Sequence, residues 1–103
     1  MRHHVTKSET TVHAALGDEI IVEVPEQTGG GYEWMILTPI PHGIETFEIA
    51  SIIPSGAGFG AASIRQFGFS VVSPGRYVIT LMHCRSWEGL ANAIGSFTVK
   101  IET

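Results

Sequence analysis

The chain holds a single cysteine, Cys84, among its 103 residues. No intrachain disulfide, four-cysteine zinc site or redox thiol pair can form, and a lone thiol is compatible with either redox compartment. Positive charge is scarce as well. Six Lys and Arg stand against ten Asp and Glu, a formal net charge of -4, so nucleic acid and anionic membranes, which need clustered positive charge, are poor partners. No apolar run approaches the roughly 18 residues of a membrane span. The opening Met1-Arg2-His3-His4-Val5-Thr6-Lys7 lacks the apolar stretch of a signal peptide. The expected location is therefore cytoplasmic for the chain as written, or periplasmic or secreted if it is a trimmed mature form. Charged residues are only 16% of the chain and hydrophobic residues 44%, which excludes a disordered tail. Twelve glycines and five prolines leave little room for long helices.

What the chain has instead is alternation. Ile20, Val22 and Val24 alternate with Ile21 and Glu23, and Tyr32, Trp34 and Ile36 with Glu33 and Met35. Phe67, Phe69 and Val71 alternate with Gly68 and Ser70, Tyr77, Ile79 and Leu81 with Val78 and Thr80, and Phe97, Val99 and Ile101 with Thr98 and Lys100. A period of two marks half-buried strands. Two weaker segments lie at 11–15 and 47–53, the second compatible with a strand or a helical turn. The length admits one domain at most, taken as 1–103.

Turn residues separate these runs at 16–18, 26–31, 39–43, 54–63, 73–75 and 86–93. The expected fold is all-β: an immunoglobulin-like β-sandwich of seven to eight antiparallel strands with no disulfide. A small barrel is the alternative. Gly75-Arg76-Tyr77 predicts a tyrosine corner, in which a tyrosine near a strand start hydrogen-bonds the preceding turn, and Ile79 falls where antibody domains carry their second cysteine.

Antiparallel connectivity places alternate turns at the same end. The turns at 17–18, 39–43 and 73–75 are short. The other three are longer and carry Gly29-Gly30-Gly31, Gly56-Ala57-Gly58-Phe59-Gly60 and Ser86-Trp87-Glu88-Gly89. One end is thus trimmed, and the other bears three extended loops holding seven of the twelve glycines. Long loops in a compact domain are commonly functional. Trp87, between Ser86 and Glu88, suits an interface anchor; the alternative is a tryptophan folded over the core edge.

Catalytic and metal motifs are thin. Neither Gly29-Gly30-Gly31 nor Gly56-Ala57-Gly58 has the Lys-Ser/Thr or the strand–helix context of a phosphate loop. His3, His4, His13, His42 and His83 lack ligand spacing with carboxylates or Cys84 and are expected at the surface or at edges. His83 and Cys84 are adjacent, so on a strand they point to opposite faces and form no nucleophile–base pair. Asp18, the single aspartate, reads as a turn former. No cofactor or metal site is expected, nor is an enzyme.

The three long loops carry a family resemblance. The chain resembles the chagasin family of cysteine protease inhibitors over nearly its whole length. That family has loop motifs of the form Asn-Pro-Thr-Thr-Gly-Phe/Tyr, a glycine-rich segment before a strand, and Arg-Pro-Trp-x-Gly. Here Arg85-Ser86-Trp87-Glu88-Gly89 keeps the arginine, tryptophan and glycine, with serine in place of proline. Gly58-Phe59-Gly60-Ala61-Ala62-Ser63, running into Ile64, matches the middle segment in character. The first loop, Gln27-Thr28-Gly29-Gly30-Gly31-Tyr32, keeps Gly31 and Tyr32, followed by Trp34, but has Gln27 for Asn, Thr28 for Pro, and Gly29 and Gly30 for the two threonines.

The resemblance implies a reversible, noncovalent inhibitor that inserts three loops into the cleft of a papain-like cysteine protease. The implied protease-binding residues are Gln27, Thr28, Gly29, Gly30, Gly31 and Tyr32 from the first loop, and Gly58, Phe59, Gly60, Ala61, Ala62, Ser63 and Ile64 from the second. Arg85, Ser86, Trp87 and Glu88 come from the third. A monomer is expected, although exposed Ile21 or Val78 on edge strands could pair between copies. The glycines of the first loop replace stiffening residues, so ordering it on binding would cost about 1 kcal/mol per residue. Weaker inhibition or a different protease preference follows. The rival reading is an immunoglobulin-like binding or assembly module for a non-protease partner.

Overall fold

The computed structural model describes residues 1–26, 32–37, 39–49, 63–85, 87 and 93–103. These residues form eight strands: β1 (Arg2–Val5), β2 (Thr10–His13), β3 (Glu19–Glu26), β4 (Tyr32–Ile36), β5 (Ile44–Glu48), β6 (Ser63–Val71), β7 (Arg76–Arg85) and β8 (Gly95–Glu102). They make two four-stranded sheets, ordered β1-β3-β6-β5 and β2-β8-β7-β4.

Residues two apart share a face of a strand, and the apolar sets alternate as that rule requires. Ile20, Val22 and Val24 of β3, Phe67, Phe69 and Val71 of β6, Ile79 and Leu81 of β7, and Phe97, Val99 and Ile101 of β8 are all buried in one cluster. Val5, Val12 and Ile44 join it from the shorter strands. Two sheets with apolar inner faces stacked on each other are a sandwich, not a barrel.

The sheets are mixed, which corrects the antiparallel expectation. β1 runs parallel to β3, and β2 parallel to β8; the other four pairings are antiparallel. The cause is the first crossing of the chain. β1 lies at the edge of one sheet and β2 at the edge of the other, so residues 6–9 carry the chain between sheets instead of forming a hairpin. That crossing is held by Thr10 Oγ1 donating to the Lys7 carbonyl at 2.7 Å and by the Thr98 amide donating to Ser8 Oγ at 3.0 Å. Glu9 there takes a left-handed φ of 63°. β1 itself shows no apolar alternation, since Val5 is its only buried residue.

Ile21 is also not as expected. It is 1% exposed, because β3 is an inner strand with β1 on one side and β6 on the other. On the outer face of this sheet the register aligns His4, Ile21, Gly68 and Phe47 in one row. A Cβ built at Gly68 would overlap the Phe47 ring, so glycine at 68 leaves room for that ring over β6. Val78 is exposed, as expected, but β7 lies between β8 and β4 and is not the edge strand anticipated. The ambiguous segment at 47–53 resolves in part: Ile44–Glu48 is a strand, and 50–53 lie outside the described residues.

Tyr77 makes the tyrosine corner. Its hydroxyl lies 2.8 Å from the Ser73 carbonyl and 3.1 Å from that of Pro74, and the ring occupies the space a Gly43 side chain would need. The same end is knit by backbone bonds from Gly17 to Val71, from Val72 to Gly43 and from Thr103 to Gly75.

The opposite end gathers the three long connections. Glu26 pairs with Ser63, so the exit of β3 lies beside the entry to β6. Tyr32 pairs with Arg85, and His83 with Gly95, so β4 begins where β7 ends and β8 starts. The strands flanking 27–31, 49–62 and 86–94 therefore meet at one end of the sandwich, as the alternation argument requires.

Candidate functional site

The site grows out of the paired ends of β4 and β7. Tyr32 and Trp34 are two apart on β4, and His83 and Arg85 two apart on β7. The register sets Tyr32 against Arg85 and Trp34 against His83. All four thus project from one face of the sheet, in line with the buried Leu81 and Ile79 of the core.

Trp34 is the inner member. It packs on the core cluster, and its indole nitrogen donates to the Pro25 carbonyl at 2.8 Å. That bond ties β4 of one sheet to β3 of the other. His83 lies flat on Trp34, with ring centroids 4.7 Å apart and planes 9° from parallel. Tyr32 meets His83 edge-on at 5.9 Å and 68°. The Arg85 guanidinium carbon sits 4.4 Å above the Tyr32 ring and 5.9 Å from the Trp87 ring. Each cation–ring contact of this kind contributes roughly 0.5–1 kcal/mol where exposed. Trp87 itself is 70% exposed. It is held out from the sandwich and does not fold over the core edge.

His83 corrects the expectation of surface histidines. It is 8% exposed, and its Nε2 has no hydrogen-bond partner among the described residues. An unpartnered buried polar atom costs about 1–3 kcal/mol; stacking between aromatic planes returns about 0.5–1.5 kcal/mol beyond the area buried. Cys84, one residue on, points to the other face, is 1% exposed and lies with its sulfur 3.7 Å from that of Met35. The two do not form a nucleophile–base pair.

Of the other described histidines, His42 is exposed and three pair singly with carboxylates. His3 Nε2 is 2.9 Å from Asp18, His4 Nδ1 3.0 Å from Glu23, and His13 Nδ1 3.6 Å from Glu102. Among the described residues no three His, Cys, Asp or Glu gather into a metal site. Asp18 does form its turn. The Ala15 amide donates to it at 3.0 Å, and His3 and the Met1 amino group also lie within reach. These contacts, the Ala15 bond first, hold its carboxyl well below the usual carboxylate range.

Of the residues anticipated at the site, Tyr32, Arg85 and Trp87 come together as above. Ser63 opens β6 opposite Glu26, and Ile64 pairs with Pro25. Gln27, Thr28, Gly29, Gly30, Gly31, Gly58, Phe59, Gly60, Ala61, Ala62, Ser86 and Glu88 lie outside the described residues. The sequence reading left His83 and Trp34 out of the site. Their signal was present: each stands two residues, hence one same-face step, from an anticipated site residue on its own strand.

An immunoglobulin-like sandwich that trims one end and sets an exposed, cation-braced tryptophan at the other has the layout of a loop-presenting binding protein. The Chagasin family peptidase inhibitor model matches residues 13–101, and the chain belongs to that family, one of inhibitors and not of enzymes. A comparison with curated protein sequences gives no match. Among solved structures, the chain is similar to the cysteine protease inhibitor EhICP2 from Entamoeba histolytica. The two share 24% identity and a TM-score of 0.84 over 98% of this chain and 94% of that one. Amebosin shares 19% identity at a TM-score of 0.75, over 99% of this chain and 97% of that one. PbICP-C, solved in complex with falcipain-2, shares 15% identity at a TM-score of 0.59, over 99% and 88%.

Proposed function

We propose that the chain is a reversible, noncovalent inhibitor of papain-like cysteine proteases that fills the substrate cleft with the three connections at one end of its sandwich. The observation that carries this reading is the pairing of Tyr32 with Arg85 at the strand ends, with Arg85 lying over Tyr32 and reaching Trp87. An exposed tryptophan braced by a neighbouring cation is the kind of anchor that dominates interface energetics. Family membership supports an inhibitor, and a fold neighbour is known in complex with falcipain-2.

In this reading the segment from Gln27 to Tyr32 occupies the region of the catalytic cysteine. The segment from Gly58 to Ile64 pairs through its backbone with the protease. Trp87 packs on the aromatic surface beside the catalytic histidine. The test is inhibition of papain or a cathepsin-like enzyme by the purified chain. Dose-dependent inhibition, reversed on dilution, is expected; an inert protein at about 10 μM, a concentration that detects Kd values far weaker than typical inhibitors, would sink the proposal.

A further inference from the structure

His83 belongs to none of the three connections, yet it lies where two of them are braced. Its ring faces Trp34 at 4.7 Å and makes a T-shaped contact with Tyr32 at 5.9 Å. Tyr32 carries Arg85 on its face, and Arg85 reaches Trp87. The five side chains form one unbroken run from the sandwich interior to an exposed tip. Its inner end is fixed, since Trp34 is pinned to the Pro25 carbonyl. Its outer end, Trp87, has most of its surface in water.

The chemistry of His83 shows which of its properties is in use. Nε2 is buried and meets no hydrogen-bond partner among the described residues, whereas the ring plane is in contact with Trp34. A flat ring, by contrast, stacks on Trp34 and meets Tyr32 in a T-shaped contact, where an aliphatic side chain would fill the volume but offer neither aromatic contact.

We propose that His83 is a positioning residue for the inhibitory end: its ring holds Tyr32 so that the phenol presents its face to Arg85, and Arg85 in turn orients Trp87 before any protease is met. Preorganising an exposed anchor removes part of the ordering cost of binding, and the gain appears as affinity. The inference rests on the protease reading only for its effect on affinity; the geometry it claims is a property of the free protein.

The experiment therefore reads both. Wild type, His83→Phe, His83→Leu and His83→Met are compared by NMR in the free state and by inhibition of papain. Side-chain protons of Arg85 held over the Tyr32 face are shifted upfield by the ring current. Wild type and His83→Phe should show that shift and a well-ordered Trp87 indole N–H. His83→Leu and His83→Met should lose both while keeping dispersed spectra elsewhere. Inhibition should weaken about tenfold in the aliphatic variants and stay within about threefold of wild type in His83→Phe. Should one aliphatic variant fail to fold, the other carries the comparison. Should both unfold while His83→Phe folds, the ring has a purely structural role and the proposal falls. It is equally overturned if the aliphatic variants retain the Arg85 shift, or if His83→Phe loses it. If wild type shows the spectra but inhibits nothing, the positioning role stands and the protease reading fails.

Discussion

Trp34 and His83 sit face to face at the open end of the sandwich, 4.7 Å apart and within 9° of parallel. One belongs to β4 and one to β7, and the antiparallel register puts them directly opposite each other. This pair closes the aliphatic core and also starts the site. Below it lie Leu81 and Phe97, both buried; above it lie Tyr32, Arg85 and Trp87. The boundary between what holds the fold and what acts is one ring thick.

That boundary includes a polar atom, His83 Nε2, buried without a partner among the described residues, and its removal should show. His83→Phe deletes Nε2 and keeps a flat ring. The gain expected is about 1 kcal/mol, the lower part of the range for an unsatisfied buried group, less some strain from the larger ring. In a domain of this size that corresponds to a rise of about 4–8 °C in Tm. Thermal unfolding followed by circular dichroism checks it; a lower Tm than wild type would mean that Nε2 is satisfied in solution.

Trp87 should behave in the opposite way. It is 70% exposed, so Trp87→Ala removes little buried surface beyond the Arg85 contact, and the unfolding free energy should fall by no more than about 1 kcal/mol. If it anchors the inhibitor, the affinity for papain should fall by about 2 kcal/mol or more, roughly thirtyfold. Equal inhibition by Trp87→Ala and wild type would remove the third connection from the site.

Much of this was legible in the chain because alternation can be read in five of the strands, even with Ile21, Met35 and Val78 at outward positions. Ile20 to Val24, Tyr32 to Ile36, Phe67 to Val71, Tyr77 to Leu81 and Phe97 to Ile101 all appear as strands with the expected faces inward or partly buried. The common end of the long connections followed from counting turns, and the tyrosine corner from Gly75-Arg76-Tyr77. Three features were hidden for physical reasons. β1 has a single inward apolar residue, so no period can be read from Arg2 to Val5. Parallel pairing of β1 and β2 depends on a crossing between sheets that leaves no local signature. The burial of Ile21 depends on strand order, which sets it between His4 of β1 and Gly68 of β6, a long-range arrangement that alternation alone does not encode.

The corner at the trimmed end makes a separable prediction. Tyr77→Phe removes the hydroxyl that donates to the Ser73 and Pro74 carbonyls and should cost about 1 kcal/mol. Gly43→Ala places a methyl group where the phenol lies and should cost about 1–3 kcal/mol. Because the overlap is worst at the hydroxyl oxygen, the double variant should be less destabilised than the sum of the two. Urea unfolding of the four proteins measures the coupling. Neither change should alter protease affinity, since the corner lies at the end opposite Trp87. Additive costs would show that the methyl group is accommodated by a movement of the backbone and not at Tyr77.

Asp18 contributes to the response of the fold to acid. The Ala15 amide, His3 and the Met1 amino group all favour its charged form, so its carboxyl titrates well below the value near 3.9 of an unfolded aspartate. A folded-state pKa beneath the unfolded one adds stability that is complete above about pH 4 and drains away as pH falls toward the folded value. Asp18→Asn keeps an acceptor for the Ala15 amide but no charge, so its unfolding midpoint should vary less between about pH 5 and pH 2 than that of wild type. The two curves should be farthest apart at neutral pH and converge in acid. Glu19 and Glu23 lie nearby on β3, bonded to Arg2 and His4, and both are retained in the variant. Parallel curves across that range would mean that the Asp18 contacts do not persist in solution, and that the turn at 15–18 is held by its backbone bonds alone.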